Sequence, residues 1–399
     1  MFRITVSLKE PVRYTAIREA VEVTSKRFPY FGGSLGSGIF WHFLEFNDQL
    51  PRIQVEEEIP CTAFAVSRKN EPLYRVLVKG KRISVEFIHI LTDGAGALEY
   101  LKTLVYTYLT LAGKHISTSG EIILPSTPVS DEEIEDGYKK FFQKLPPPSR
   151  ISRSWNLPFK LNKRPQLRVL SAEVRVDEIL EAARKHKVSI TEYFASVYLF
   201  SLEQIFLSEK GKNKKAKPEI LRIEVPVNMR KIFPSRTMRN FSLFVEPEID
   251  MRLGTYTFEE IIKSVHLQMQ LNTEVKQISR FLSSNVSYEK LLIVRILPLV
   301  IKKIIISAVY KSVVSKRLTG LVTNLGLVTL PGEMEDLIDY IEVTPPPPNP
   351  KVKVNTALIS FKDKLRICFS NITQSRELER HILSHLSDTG IHVKILNNN

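Results

Sequence analysis

The stretch HILTDGAGALEYLKTL, residues 89–104, joins a predicted strand to a predicted helix. Upstream of it, apolar and polar residues alternate over 82–88, which predicts a strand whose apolar face ends at His89. From Ala95 onward, apolar residues recur at the spacing of a helix that ends near Gly113. The pattern therefore places an imidazole at the rim of a buried strand face, with Asp93 and Gly94 in the turn that follows.

These residue types suit proton transfer. An imidazole shielded from bulk water is mostly neutral at pH 7, which is the state that a general base requires. Gly94 permits a sharp turn that a Cβ could obstruct, and Asp93 could brace the loop. The alternative is a structural histidine with no role in chemistry.

The chain of 399 residues shows two regions of mixed strands and helices, which predicts an α/β fold with mixed sheets. The first region covers residues 1–145. A proline-rich and basic crossover linker spans residues 146–165, where no periodic pattern is sustained. The second region covers residues 166–399 and ends with strand, strand, helix and strand patterns.

Composition limits the class of protein. Only two cysteines occur and no CxxC pair exists, so neither a structural zinc site nor a disulfide framework is expected. The first residues lack the apolar core of a signal peptide, and we expect a cytosolic protein. The net charge of +14 fits an anionic small molecule, an anionic partner protein or membrane, or nucleic acid. Nucleic acid is the weakest of these, because no RNA-binding motif or zinc finger is present.

The segment 290–314 is apolar but carries Arg295, Pro298, Lys302 and Lys303. A membrane-spanning helix needs ~20 predominantly apolar residues, so we reject a transmembrane span. One interpretation is a mostly buried helix pair whose lysines extend towards water. The other is a basic amphipathic face that contacts a membrane surface or covers an apolar substrate channel.

At the level of motifs, the sequence resembles the chloramphenicol acetyltransferase-like superfamily. That superfamily includes the condensation domains of nonribosomal peptide synthetases, and the resemblance is strongest to bacterial alcohol acetyltransferase-like proteins. It is carried by HxxxDG at 89–94 and by an ordered set of further segments: KRFPYF, GIFWHFLEFN, VPVNMRKIFPSRTMRNF, VTNLGLVTLP and ISFKDKLRICFSN.

The resemblance implies two similar lobes that form a pseudo-dimer around a central tunnel, with the histidine midway along it. His89 is similar to the catalytic histidine of the family. Asp93 resembles an aspartate that forms a structural salt bridge, and Arg230 resembles its partner. On these grounds we expect a planar, bidentate pair between Asp93 and Arg230 that ties the lobes together.

Further positions follow from the same resemblance. Asn240 lies where related enzymes place a motif that lines the channel. Asn324 lies in a loop that usually reads Ser-Asn-x-Gly, and here Thr323 replaces the serine, so a hydroxyl remains for an oxyanion. Two departures, Ile88 in place of a second histidine and the absence of the DFGWG motif of plant enzymes, argue against a peptide-synthetase or plant substrate.

The expected activity is transfer of an acyl group from a thioester to a hydroxyl or amine, with His89 as general base and no covalent intermediate. Acyl-CoA is the expected co-substrate of an O-acyltransferase, and neither a bound cofactor nor a metal is expected. The alternatives are a condensation enzyme that depends on an acidic carrier protein and a non-catalytic binding protein of the same fold.

Overall fold

The computed structural model describes residues 1–396 except 47, 58, 63–70, 119–121, 150–151, 164–166, 213–217 and 313–315. Parts of the predicted linker 146–165 and of the segment 290–314 thus lie outside the described residues. The elements up to residue 145 are β1 (Phe2–Leu8), α1 (Tyr14–Arg27), β2 (Gly33–Ser37), β3 (His42–Phe46), β4 (Arg52–Val55), β5 (Tyr74–Lys79), β6 (Arg82–Phe87), α2 (Gly94–Leu111), α3 (Asp131–Ile134) and α4 (Gly137–Lys140).

The later elements form the second sheet, further helices and one strand that returns to the first sheet. They are β7 (Arg168–Arg175), α5 (Val176–Lys185), α6 (Ile190–Lys212), β8 (Ile220–Asn228), β9 (Ser242–Val245), β10 (Glu248–Asp250), α7 (Phe258–Thr273), α8 (Val275–Lys290), α9 (Leu292–Ile296), α10 (Leu299–Ser312), β11 (Gly320–Val328), α11 (Gly332–Leu337), β12 (Ile338–Thr344), β13 (Val354–Phe361), β14 (Lys364–Asn371), α12 (Glu377–Asp388) and β15 (Lys394–Leu396).

The first sheet has the strand order β12-β1-β6-β5-β4. Its inner strand β1 is buried along its whole length, which suits a run that pairs on both sides. The edge strand β12 comes from far along the chain, after β11 of the second sheet. The segment from β11 to β12 therefore connects the two sheets, and the boundary at 146–165 stays a prediction.

The second sheet has the order β10-β8-β11-β13-β14-β7-β15, with β9 beside β8. Strand β11 pairs in parallel with β8 and β13, whereas β14 pairs antiparallel with β13 and β7. The sheet is thus mixed, as the sequence predicts. Strand β13 is buried on both faces, so that Leu358 packs in one core while Ala357 and Ile359 pack in the other.

The segment 290–314 differs from the expected buried helix pair. Its chain is broken at Leu291 and again at Leu297–Pro298, giving α9 and α10 after the end of α8. Proline cannot continue a helix that precedes it, which accounts for the second break. Most side chains of α9 and α10 are exposed, so the expectation of a buried helix pair is wrong. No helix among the described residues is both long and apolar enough to cross a membrane.

Candidate active site

His89 lies in the turn that follows β6. The strand ends at Phe87, two residues earlier than the sequence pattern predicts, because the chain turns at 88–91, where the Leu91 amide donates to the Ile88 carbonyl at 2.9 Å. The imidazole packs against the ring of Phe2, with centroids 5.1 Å apart. The turn therefore fixes the main chain, and Phe2 supports the ring.

His89 is exposed by surface area, yet the protein around it desolvates the ring. Desolvation is the largest effect and lowers the pKa of His89, while a bond to its own carbonyl and the charge of Asp93 act in the opposite direction. The surface exposure and the desolvation together describe an imidazole with one side open to solvent and the other side packed against protein. Only Nδ1 can reach the residue's own carbonyl, so this bond leaves Nε2 as the proton acceptor.

Asp93 caps α2 and also contacts the second region. Its Oδ1 accepts hydrogen bonds from the amides of Ala95 at 3.1 Å and Gly96 at 3.2 Å, as an N-cap aspartate does. Its Oδ2 accepts from Nη1 of Arg230 and from the amide of Phe241, both at 2.8 Å. The carboxylate is buried, and each oxygen already serves two donors, so it is engaged in holding the loop.

Arg230 pairs with Asp93, as predicted, but through a single nitrogen and not through a bidentate fork. Its other nitrogens point along the loop that follows: Nε donates to the Thr237 carbonyl at 2.7 Å, and Nη2 donates to the Arg239 carbonyl at 2.6 Å. The guanidinium presents more donors than one carboxylate can accept, and the carbonyls take the remainder. Arg230 thus fixes the loop 237–241 against the turn that carries His89.

Gly96 marks a close approach of the two regions and was missed by sequence reasoning. A Cβ at this position would lie 2.5 Å from the Met238 carbonyl and 2.2 Å from the Thr92 hydroxyl. That hydroxyl donates to the same carbonyl at 2.6 Å. The pair of glycines in DGAG was the available signal, because a second glycine within a first helical turn is costly unless backbone must approach.

Gly94 is the first residue of α2 and faces the side chain of Leu325, whose Cγ would lie 3.3 Å from a Cβ added to the glycine. Leu325 belongs to the Thr323–Asn324–Leu325–Gly326 segment of β11. The pairing of β11 with β13 is irregular between Asn324 and Leu327, and Gly326 has a φ of +84°. This irregularity turns the segment towards the loop that bears HxxxDG.

Asn324 is already engaged within the second region. Its Nδ2 donates to the Thr191 hydroxyl at 3.0 Å, and its Oδ1 accepts from the Gly326 amide at 2.8 Å. One amide hydrogen of Asn324 therefore remains for another acceptor. Within the described part of the chain, no hydrogen bond joins His89 to Thr323, Asn324 or Asn240.

Asn240 lies between the two residues whose main chain contacts the Asp93–Arg230 pair. Its Oδ1 accepts from the Ser242 hydroxyl at 3.0 Å, and the side chain is partly buried. The structure thus places Asn240 in the loop 237–241 beside the pair, while a role in lining a channel stays a prediction.

Glu224 is an ionisable group near Thr323 that sequence reasoning missed. It pairs with Leu321 across β8 and β11, so it shares a sheet face with Thr323 two residues further along. Desolvation and the nearby Glu246 raise the pKa of Glu224 to about 7, against the opposing effect of Arg317. A lone glutamate within the apolar strand LRIEVPVN was the available signal.

Other ionisable clusters lie elsewhere. A depression between α5 and α7 is lined by His186, Glu259 and His266, and His266 bonds to Glu192 at 2.9 Å. These helices cover the core on which the second sheet packs, away from the HxxxDG turn. Among the described residues, no group of three or more His, Cys, Asp or Glu could hold a metal ion.

Comparison with solved structures finds similar folds over nearly the whole chain. The structure of F. sporotrichioides TRI101 complexed with coenzyme A and T-2 is 11% identical, with a TM-score of 0.61 over 96% of its length and 99% of this chain. The first condensation domain of the calcium-dependent antibiotic synthetase is 12% identical, with a TM-score of 0.61 over 90% of its length and 97% of this chain. The chain has the chloramphenicol acetyltransferase-like fold.

A third structure, polyketide synthase associated protein 5 from Mycobacterium tuberculosis, is 12% identical, with a TM-score of 0.55 over 93% of its length and 96% of this chain. No protein-family model matches the sequence, and the comparison with curated proteins gives no match. The predicted resemblance is therefore confirmed at the level of fold.

Proposed function

We propose that the protein transfers an acyl group from a thioester to a hydroxyl or amine, with His89 as the general base. The observation that carries this proposal is the state of His89: an accessible imidazole whose pKa is lowered by desolvation and whose Nδ1 is engaged by its own carbonyl. Such a ring is neutral at pH 7 and presents Nε2 to a substrate.

In the proposed reaction, Nε2 of His89 accepts the proton of the acceptor hydroxyl or amine while that group attacks the thioester carbonyl. The tetrahedral intermediate collapses by breaking the carbon–sulfur bond, and the proton passes from His89 to the thiolate. The remaining amide hydrogen of Asn324, the Thr323 hydroxyl or a main-chain amide would donate to the oxyanion. No covalent acyl-enzyme is needed. The sequence matches GxSxG at residues 32–36, but Ser34 lies within strand β2, where its hydroxyl donates to the Glu45 carbonyl at 3.3 Å, and not in the strand-to-helix turn of a nucleophile elbow.

Asp93 has no part in proton transfer in this scheme. Both of its oxygens are occupied by donors, and its carboxylate and Arg230 hold the turn that carries His89. Their contribution is to position the base, which must lie within hydrogen-bond reach of the substrate proton. Gly94 contributes in the same way by leaving room for Leu325.

We propose acyl-CoA as the donor. The net charge of +14 favours a phosphate-bearing ligand, and one structure of similar fold was solved with coenzyme A. Similar folds also include condensation domains, which supports a carrier-protein donor as the second candidate.

Two buried free cysteines, Cys61 and Cys368, support the proposal of a cytosolic location.

The test measures thiol release from a panel of acyl-CoA thioesters in the presence of alcohols and amines. His89→Ala should lower the rate by roughly 10²–10⁴-fold, the usual contribution of a general base. His392→Ala is the matched control, because His392 is exposed and pairs with Glu178 far from the turn. Retention of more than about a tenth of the rate by His89→Ala would remove the general-base role.

A further inference from the structure

An exposed apolar surface covers α9, α10 and the turn of the β2–β3 hairpin. Leu292, Val300 and Ile304 expose 72%, 71% and 67% of their surface, and Ile39 in the hairpin turn exposes 74%. We call this set the α9–α10 apolar surface; its members are Ile39, Phe40, Trp41, Leu292, Ile293, Ile296, Val300, Ile301, Ile304, Ile305, Ile306 and Val309.

The hairpin and α10 form one continuous surface. The amide of Leu299 donates to the Ile39 carbonyl at 2.9 Å. The ammonium of Lys302 donates to the Phe40 carbonyl at 2.7 Å and lies 3.4 Å from the ring centroid of Trp41. Lys302 is therefore directed into the hairpin, and the aliphatic side chains on the remainder of α10 face outward.

A patch of this kind requires an explanation. Single exposed apolar residues are normal, whereas large contiguous apolar patches mark sites of interaction. Here the exposed residues follow one another along two helices and a hairpin turn. A helix that packed only against its own chain would bury such residues.

The two helices of the surface are basic, whereas the hairpin carries one acidic residue, Glu45 in β3. Residues 290–332 include seven lysines and arginines and no aspartate or glutamate. Arg295 and Lys303, which flank the apolar residues, are at least partly exposed. A partner that covers this surface must therefore combine an apolar interior with negative charge at its margin.

We propose that the α9–α10 apolar surface docks on an anionic lipid bilayer. The apolar side chains would enter the boundary between headgroups and acyl chains, and the basic residues would contact anionic headgroups. Trp41 and Phe40 suit the same depth, because aromatic residues concentrate at membrane interfaces. Helix α10 has 14 residues, too few to span a bilayer that needs ~20, so the helix lies in the plane of the interface.

A second copy of the chain fits the surface less well. A symmetric contact between two copies would bring two surfaces with basic helices against each other, and like charges across an interface are unfavourable. Protein interfaces are also depleted in lysine, whereas this surface is bordered by it. The charge pattern therefore favours lipid.

The experiment is cosedimentation of the full-length protein with vesicles. One set contains phosphatidylcholine alone and the other an equimolar mixture of phosphatidylcholine and phosphatidylserine. We expect binding to the anionic vesicles, and weaker binding at ~1 M salt, where the Debye length falls to about 3 Å. Absence of binding to anionic vesicles, or equal binding to neutral ones, would overturn the proposal.

The variant Val300→Ser/Ile304→Ser should weaken vesicle binding by about tenfold per residue, the factor expected when an aliphatic side chain no longer leaves water. The matched control is Leu253→Ser/Ile395→Ser, since these residues are 81% and 58% exposed outside the surface. Equal loss in the control would contradict the assignment. If sedimentation velocity shows a dimer that the Val300→Ser/Ile304→Ser variant abolishes, without vesicle binding by the wild type, the second-copy alternative replaces the proposal.

The charge variant Arg295→Glu/Lys303→Glu gives an independent readout if the apolar variant does not fold. It should lose the preference for phosphatidylserine, with about fivefold weaker binding for each basic residue removed near the surface. An unchanged preference would argue against lipid docking by this face. Because vesicle binding does not depend on catalysis, the two experiments can refute lipid docking and acyl transfer independently of each other.

Discussion

Replacement of Asp93 by asparagine isolates the contact between the two regions. Asparagine is as good an N-cap as aspartate, so it can keep accepting from the amides of Ala95 and Gly96. Its NH2 group then replaces Oδ2 and faces two other donors, Nη1 of Arg230 and the amide of Phe241. The opposite rotamer only moves the mismatch to the helix amides.

The expected loss of stability depends on the hydrogen bonds that Arg230 retains when Asp93 is replaced. Removing one partner of a buried ion pair costs about 3–5 kcal/mol, because the other charge is left unpaired. Arg230 retains the carbonyls of Thr237 and Arg239 and the side-chain oxygen of Asn228. We therefore expect Asp93→Asn to lower the free energy of unfolding by about 3 kcal/mol, the lower end of that range.

The assay is a double-mutant cycle in urea with Asp93→Asn, Arg230→Ala and the double variant. The double variant should lose less stability than the sum of the two single losses, with a coupling energy of about 1.5–3 kcal/mol for a charged hydrogen bond. The exposed pair Arg175–Asp177 is the control, and its coupling should be much smaller because water screens both charges. Coupling of Asp93 to Arg230 below about 0.5 kcal/mol would refute the reasoning.

Three further predictions concern the same site. Since burial lowers the pKa of His89, the folded state binds its proton less tightly than the unfolded state, so wild type should lose stability relative to His89→Gln as the pH falls below ~6.5 in urea titrations. Gly96→Ala should destabilise the fold by a few kcal/mol because its Cβ meets main chain, whereas Gly94→Ala should cost less because its Cβ meets only the side chain of Leu325; thermal melts that rank them otherwise would contradict the geometry. The raised pKa of Glu224 means that the folded state favours the protonated acid, so stability is lost as pH rises from ~4.3 to about 7. Glu224→Gln should therefore gain more stability over wild type at pH ~8 than at pH ~5 in urea titrations, and an equal gain at both pH values would contradict this reasoning.

Periodicity predicts the elements around the site well, because it reflects burial on one face. Helix α2 covers Gly94–Leu111, close to the predicted helix that begins at Ala95 and ends near Gly113. The end of β6 is misplaced, because alternation continues through Ile88 and His89 although the chain turns at 88. A turn that is stabilised by one main-chain hydrogen bond does not change the hydrophobic periodicity of the sequence, so periodicity cannot predict it.

The pairing of Asp93 with Arg230 could be predicted from the family resemblance and the residue types, but the way it pairs could not. The guanidinium approaches from a loop whose carbonyls at Thr237 and Arg239 compete for its nitrogens. The position of those carbonyls depends on Met238 reaching Thr92, a contact between residues 146 positions apart in the chain. Such close main-chain approach is set by tertiary packing, and local propensity carries no information about it.

The segment 290–314 is a second case in which the sequence could not predict the tertiary contacts. A helix buried in a core and a helix at a lipid interface both need apolar residues with a few basic ones, so composition cannot separate them. The deciding fact is the contact between α10 and the hairpin turn, made through Leu299 and Lys302. That contact occupies one side of the helix and leaves Val300 and Ile304 facing water. Because residues 290–332 also lack any acidic side chain, the exposed face meets the requirements of an anionic interface better than those of a core.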